Sequence, residues 1–198
     1  MYGGPAAYGE SMTKKDLGGK NCLYPMPVFL VGAEVEGVVD FTTVAHVGIL
    51  NVGEVNYVSI GLGKGHHVNR GIKANREFSL CLPSEDMMVA VDHCGIASGA
   101  KVDKSKVFKV ARGKLSFAPM AEECPICMEC RLHDTLDYGS HDIFIGAIAA
   151  SYAEEAVLSS GAVDLAKVHP LLFEMFTRSY WKLGERAGSA WSEGRRYR

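Results

Sequence analysis

Short apolar segments rich in β-branched and aromatic residues recur along this chain of 198 residues, and most are bounded by glycine, proline or asparagine. Segments of this length and composition are typical of β-strands, whereas helical periodicity is rare here. The pattern therefore predicts a mainly β fold, an all-β or β-barrel core with a few peripheral helices. The predicted strands fall within residues 27–37, 38–50, 55–62, 77–82, 107–111, 126–132 and 142–151.

Three segments carry helical signals. Val68–Asn75 is predicted to form a short helix, and Ser84 has the features of an N-cap because acidic residues follow it in the first turn. In the tail, Phe173, Phe176 and Tyr180 are spaced to share one face of a helix. Residues 92–106, between the second and third of these segments, are predicted to form a polar loop.

Length and composition limit the organisation and the partners of the chain. At about 100–200 residues per domain, we expect one domain. We divide it into a flexible tail (1–21), a core (22–165) and a helical, aromatic C-terminal extension (166–198). Residues 1–11 have the composition of a tag, because Met12 opens a more natural start. The formal net charge of −2 disfavours nucleic acid and anionic membranes as partners.

The sequence also limits the cellular compartment. No segment reaches the roughly 20 apolar residues that span a bilayer. The N-terminus lacks the basic and apolar regions of a signal peptide, so we expect a cytoplasmic protein with reduced thiols.

The cysteines form one dense group, Cys124-Pro-Ile-Cys127-Met-Glu-Cys130, with His133 shortly after it. This spacing occurs in dithiol redox sites, and three cysteines with a histidine could also form a zinc site. On a strand, however, Cys127 would point away from Cys124 and Cys130, so the three sulfurs are not expected to converge. We favour structural thiols and no metal site, and we keep a redox pair as an alternative.

A glycine-rich segment, Gly61-Leu-Gly-Lys-Gly65-His-His-Val-Asn-Arg70, follows a predicted strand and precedes a predicted helix. Successive backbone N–H groups in such a loop can bind an anion, and nearby cations can neutralise it. The named nucleotide-binding motifs do not match these residues. A phosphate site and an ordinary β–α connection therefore both remain open.

Several segments, in this order, resemble the flavin reductase-like family and its flavoredoxin-type subgroup. They are YPMPVFLVGA (24–33), FTTVAHVGIL (41–50), YVSIG (57–61), HHVNRGIKANREFSLCLP (66–83), DHCGIASGAKVDKSK (92–106), MECRL (128–132), HDIFIGAI (141–148) and PLLFEMFTRSYWKLGE (170–185). The resemblance implies an FMN-binding split β-barrel, six-stranded with Greek-key connections and peripheral helices.

The resemblance also implies which residues bind the flavin. In this chain the matching positions along the ring are Thr42, Thr43, Val44 and Ala45; those around the ribityl-phosphate end are Ser59, Gly61, Leu62, Gly63, Lys64, His66, His67 and Asn69; and Ser98, Gly99 and Lys104 are near the flavin as well. One departure is Val68, where similar proteins often have threonine.

The activity that the resemblance implies is transfer of hydride or electrons between NADH or NADPH and FMN or a downstream acceptor. Such chemistry occurs on the flavin, so no catalytic side chain is nominated. The alternative is an FMN electron carrier whose partner is an iron–sulfur or other redox protein. A second alternative is a metal or dithiol protein built on the cysteines. The family resemblance further implies a homodimer.

Overall fold

The computed structural model describes residues 13–197, so the predicted tag at 1–11 lies outside the described residues. Residues 13–21 form no helix or strand and are exposed. The strands, in chain order, are β1 (Met26–Pro27), β2 (Phe29–Val35), β3 (Val38–Val44), β4 (Val47–Ile49), β5 (Tyr57–Gly63), β6 (Glu77–Leu82), β7 (Val110–Ala111), β8 (Met120–Ala121), β9 (Ile126–Tyr138), β10 (His141–Ala153), β11 (Leu158–Ser159), β12 (Ala162–Val163), β13 (Leu172–Glu174) and β14 (Ser179–Trp181). The helices are α1 (Val68–Asn75), α2 (Met88–Ile96) and α3 (Leu165–Val168), with short 3₁₀ turns at Glu85–Met87, Lys104–Lys106, Glu155–Val157 and Glu193–Arg196.

The main sheet has the strand order β3-β2-β6-β9-β10-β5-β4, all pairs antiparallel. Its two edge strands, β3 and β4, are consecutive in the chain, and Val44 and Val47 are only three residues apart. Three residues span at most about 11 Å, so the sheet must curl until its edges meet. This confirms the predicted split barrel. The sheet has six long strands, as predicted, and the three-residue β4 adds a seventh.

Both faces of the sheet are buried, which explains why its strands are apolar along most of their length. One core cluster fills the barrel and includes Val31, Ile60, Phe78 and Phe144. A second cluster lies on the opposite face and includes Leu30, Phe41, Cys81, Val91 and Leu171. Neighbours on β2 alternate between the two, because side chains of a strand point to opposite faces.

The helices flank this sheet. α1 has the predicted bounds and packs so closely on β2 that a Cβ on Gly71 would lie 2.4 Å from the Glu34 carbonyl oxygen. Ser84, the predicted N-cap, precedes the 3₁₀ turn Glu85–Met87, and α2 itself begins at Met88 and continues to Ile96. The expected loop at 92–106 is therefore wrong for its first five residues, because the apolar Val91 and Cys94 bury one side of an additional helical turn.

The predicted C-terminal helix is wrong. Phe173 and Tyr180 lie opposite each other on β13 and β14, with ring centroids 5.8 Å apart, and both pack on the second core cluster. β13 also pairs with β1, where Met26 faces Phe173. The unpaired backbone of β1 gives the tail a strand partner, and this tertiary pairing overrides the local helical spacing.

Three other predicted strands differ in length from the prediction. The strand expected at 107–111 is reduced to Val110–Ala111, whereas β9 and β10 extend to 13 residues each. Gly139, with φ of 67°, forms the turn between them. Among residues 13–197, no helix has the length and apolar character needed to cross a membrane.

Candidate functional site

Two neighbouring cavities open where β5 ends and β10 begins. The first, here called the wide cavity, has a volume of about 710 Å³. The second, the basic cavity, has a volume of about 380 Å³. They meet at β5, where Gly61 lines the wide cavity and Gly63 the basic one, and at the adjacent residues His141 and Ser140. The wide cavity is lined by Asn21, Leu23–Pro27, Ala45–Gly48, Ser59, Gly61, Tyr138, His141 and Ile143, and the basic cavity by Gly63–His67, Gly95–Gly99, Lys104 and Ser140.

The wide cavity is largely apolar, and its polar groups are concentrated at two histidines. The rings of His46 and His141 have centroids 5.9 Å apart. Burial, and then the proximity of His141, lower the pKa of His46, so this ring is neutral at pH 7. The cavity therefore offers a broad apolar surface with the neutral His46 ring at one side.

The basic cavity combines free backbone N–H groups with cationic side chains. Within residues 13–197, the N–H groups of Gly65, His67 and Val68 donate to no acceptor. Lys64 is half-exposed and lies 2.7 Å from Asp137 Oδ2, and the His66 ring is held by Gly63 O at 2.8 Å from its Nδ1. The start of α1 adds partial positive charge, so this cavity suits an anion.

A buried charge network forms the floor of the basic cavity. Lys104 Nζ lies 3.0 Å from Asp40 Oδ1, and His67 Nδ1 lies 3.1 Å from Asp40 Oδ2. Lys104 also donates to the carbonyl oxygens of Cys94 and Ala97 at 3.3 and 3.1 Å. Asp40 therefore neutralises Lys104 and fixes the His67 ring, whose Nε2 is left for another partner.

Asn69, at the start of α1, holds an unused acceptor. Its Nδ2 donates to Gly63 O at 3.0 Å, while its buried Oδ1 has no hydrogen-bond partner among the residues that the structure describes. A buried acceptor without a donor is costly, so this oxygen is suited to a hydroxyl group of a bound molecule.

The structure brings together ten of the fifteen predicted site residues. Those at the wide cavity are Ala45, Ser59 and Gly61, and those at the basic cavity are Gly63, Lys64, His66, His67, Ser98, Gly99 and Lys104. The others line neither cavity: Thr42, Val44 and Leu62 are buried, Thr43 donates its hydroxyl to Val91 O, and Asn69 lies behind Gly63.

The sequence did not single out four residues that help to form the site. His141, Tyr24 and Tyr138 line the wide cavity from segments distant in the chain. Asp40 contacts both Lys104 and His67 from the middle of β3. The only available signal for Asp40 was an acidic residue inside an otherwise apolar strand.

The expected separation of the cysteine sulfurs is wrong for one pair. Cys124 precedes β9, so strand alternation does not apply to it, and it lies in the second core cluster with Cys127 and Cys81. Cys130 faces the barrel interior, as expected from alternation. Within residues 13–197, no group of three or more histidine, cysteine, aspartate or glutamate side chains is arranged to hold a metal ion.

A curled antiparallel sheet whose edge strands meet, with two joined cavities at the end of β5, defines a split β-barrel protein. A family model described as "Flavin reductase like domain" matches residues 21–179. The chain therefore belongs to the flavin reductase-like family.

Comparison with solved structures gives the same fold. The flavoredoxin from Methanosarcina acetivorans is 38% identical, with a TM-score of 0.89 over 92% of this chain and 98% of that one. The flavoredoxin of Desulfovibrio vulgaris (Miyazaki F) is 29% identical, with a TM-score of 0.85 over 92% and 100%. An FMN-binding protein from Thermus thermophilus is 21% identical with a TM-score of 0.75 over 91% and 98%, and it supports the fold alone. Within the family, this chain is of the flavoredoxin type.

Proposed function

We propose that the chain binds FMN across the two cavities and transfers hydride or electrons between NADH or NADPH and FMN or a downstream acceptor. The observation that carries this proposal is the joining of a wide apolar cavity to a basic cavity at the end of β5. A flavin mononucleotide has the matching division into a flat ring and a dianionic tail. Membership of the flavin reductase-like family supports the same assignment.

The basic cavity fits the phosphate of FMN. A phosphate monoester carries about −1.5 to −2 charges at pH 7, which a chain of net charge −2 must meet locally. The free N–H groups of Gly65, His67 and Val68 would hold its oxygens, with Lys64 adding positive charge. Because Val68 has no hydroxyl, the phosphate oxygens depend on the backbone N–H groups and on Lys64.

The apolar walls of the wide cavity suit the ring of FMN. When bound, FMN supplies the ability to accept and release a hydride or electrons. The contribution of the chain is to orient the ring, to exclude water and to keep His46 uncharged beside it.

The spectrum of the freshly purified protein tests the cofactor. Bands near roughly 370 and 450 nm are expected for a bound flavin. Chromatography of the released material should identify FMN, whereas FAD or no flavin would contradict the proposal. Weaker binding of riboflavin, which lacks the phosphate, would support the role of the basic cavity.

Anaerobic stopped-flow absorbance tests the reaction. NADH or NADPH should bleach the flavin of the loaded protein within a single turnover. If neither does so while a reduced iron–sulfur protein does, the chain is an electron carrier. That second candidate is favoured by the 38% identity to a flavoredoxin.

We also propose that two chains associate through the region around β4. Ile49, Leu50, Val52 and Val55 form an exposed apolar segment beside the wide cavity, with Val52 92% exposed. Such clusters mark interaction surfaces. Light scattering should give twice the chain mass of 21.4 kDa, and Val52→Asp should reduce it towards that of one chain.

A further inference from the structure

Three cysteine side chains meet behind the sheet, on the opposite face from the barrel interior. Cys81 lies on β6, Cys127 lies on β9 with its Sγ 3.9 Å from Cys124 O, and we refer to these three residues as the thiol cluster. All three belong to the second core cluster, whereas Cys130 lies inside the barrel. The thiol cluster has no part in the flavin-binding groove proposed above.

The strand register places one pair of these cysteines in disulfide-forming positions. Cys81 and Cys127 are direct partners on the antiparallel strands β6 and β9. The N–H of Leu132 donates to Arg76 O at 2.8 Å, so hydrogen-bonded pairs fall at every second position from there. In this alternation, Cys81 and Cys127 form a non-hydrogen-bonded pair. Cα atoms of such pairs are about 4.5 Å apart, within the range that a disulfide bridges.

A small reagent can approach this cluster from solvent. Cys124 and Cys127 line a cavity of about 300 Å³ bounded also by Arg112, Tyr152 and Glu154. Their exposed fractions are 4% and 6%, while Cys81 is fully covered behind them. The cavity therefore gives access to Cys127, and Cys81 lies directly behind Cys127 as its strand partner.

We propose that Cys81 and Cys127 form a redox-active pair, oxidised to a disulfide by small hydroperoxides. The hydroperoxide ROOH gives one oxygen to the Cys127 sulfur, which becomes a sulfenic acid, and leaves as ROH. The Cys81 sulfur then attacks the Cys127 sulfur, so that an S–S bond forms and the S–O bond breaks. The oxygen leaves as water with the proton of the Cys81 thiol. Two electrons pass from the thiol pair to the peroxide.

Peptide mapping of the folded full-length protein tests this pair. The protein is treated with one equivalent of hydrogen peroxide, alkylated in denaturant and cleaved after glutamate, lysine and arginine. We expect two thiols lost per chain and a covalent link between the peptides 78–85 and 124–129, reversed by dithiothreitol. Each peptide is separated from Cys94 and Cys130 by its own cleavage sites, at Glu85 and Glu129.

Single-cysteine variants identify the bond. Cys81→Ser and Cys127→Ser should each abolish the link, whereas Cys124→Ser and the matched buried control Cys130→Ser should retain it. Because the wild-type map needs no variant, a poorly folding variant does not remove the test. An unlinked 78–85 peptide, a link that survives in Cys127→Ser, or oxidation only at exposed Cys22 would overturn the proposal. Flavin content is measured in parallel. A protein without flavin would contradict the proposed function, whereas the disulfide map would still test the cysteine pair.

Discussion

Lys104 Nζ lies 3.0 Å from Asp40 Oδ1, and the two side chains are only 2% and 4% exposed. Lys104 was predicted to be a flavin-contacting cation, and it does line the basic cavity. Its charge is nevertheless balanced within the chain by Asp40, which also holds His67. The role that the structure gives Lys104 is therefore to fix the cavity floor.

Substitution Lys104→Met should strongly destabilise the fold. It leaves the Asp40 carboxylate buried beside His67 without its main counter-ion, and breaking one side of a buried ion pair costs about 3–5 kcal/mol. Urea unfolding followed by circular dichroism measures this change.

The matched control is Lys106→Met on the same 3₁₀ turn. Lys106 is 83% exposed and pairs with Asp103 at 3.3 Å, a surface contact that contributes little to stability. Equal stability of the two variants would show that the buried pair is not needed for the fold. In Lys104→Met combined with Asp40→Asn, part of the lost stability should return.

Glu129 organises the segment before β8 from a fully buried position. Its carboxylate accepts the N–H groups of Gly113, Lys114 and Leu115 at 3.0, 2.7 and 3.1 Å, and the Tyr152 hydroxyl at 2.9 Å. Glu129→Ala should lower the unfolding free energy by roughly 1–3 kcal/mol, because three N–H donors, that of the buried Leu115 among them, lose their acceptor. Chemical denaturation and amide hydrogen exchange at 113–115 measure the effect.

Tyr152→Phe is the control for this carboxylate. It removes only one of the four hydrogen bonds and should cost about 1 kcal/mol. Faster exchange at 113–115 is expected in Glu129→Ala alone. Unchanged exchange there would contradict the anchoring role of Glu129.

Local signals account for the elements that the sequence predicted well. The bounds of α1 and β6 could be read directly, because a glycine-rich turn and Pro83 delimit them and each buries a regular pattern. The strands of the tail and the location of Cys124 could not be predicted from the local sequence. Phe173 has a strand partner only because β1 lies beside it, and Cys124 joins Cys81 through a turn that precedes β9.

The two cavities of the candidate site also differ in how far the sequence predicts them. The basic cavity comes mostly from one contiguous segment, Gly63–His67, so its glycines and cations could be recognised in sequence. The wide cavity is assembled from β1, the β3–β4 corner, β5 and β10. His141 reaches His46 because β10 and β4 pair with opposite sides of β5, and no spacing in the chain encodes that approach.

The lowered pKa of His46 predicts a loss of stability in mild acid. Burial and His141 bring this pKa below its ordinary value of 6.5, so the unfolded chain takes up the proton at a higher pH than the folded chain. The contribution is fully present above about pH 6.5 and is lost as the pH falls through 6.5 to the lowered folded value. Urea midpoints between pH 8 and 5 should therefore decline less steeply in His46→Gln than in the wild type.

His93→Gln is the matched control, since His93 is exposed on α2 and lies outside both cavities. Its pH profile should follow that of the wild type. Parallel profiles for the wild type and His46→Gln would refute the assignment of the acid sensitivity to His46.

Gly99→Ala should damage the fold of the basic cavity. A Cβ at Gly99 would lie 2.1 Å from Asp40 Oδ2, a separation that real contacts do not reach. Asp40 must move away, and its bonds to Lys104 and His67 are then lost. We expect a lower unfolding free energy, by about 2–4 kcal/mol, and weaker FMN binding in the same variant.

Gly65→Ala separates stability from binding. A Cβ at Gly65 meets no atom within 4 Å, so the fold should tolerate it with an unchanged urea midpoint. If the phosphate of FMN approaches the free N–H of Gly65 as proposed, the added methyl group obstructs it, and FMN affinity should fall by about tenfold, equivalent to about 1.4 kcal/mol. Riboflavin, which has no phosphate, should bind the variant and the wild type equally in a fluorescence titration. Equal losses for both flavins would place the phosphate elsewhere.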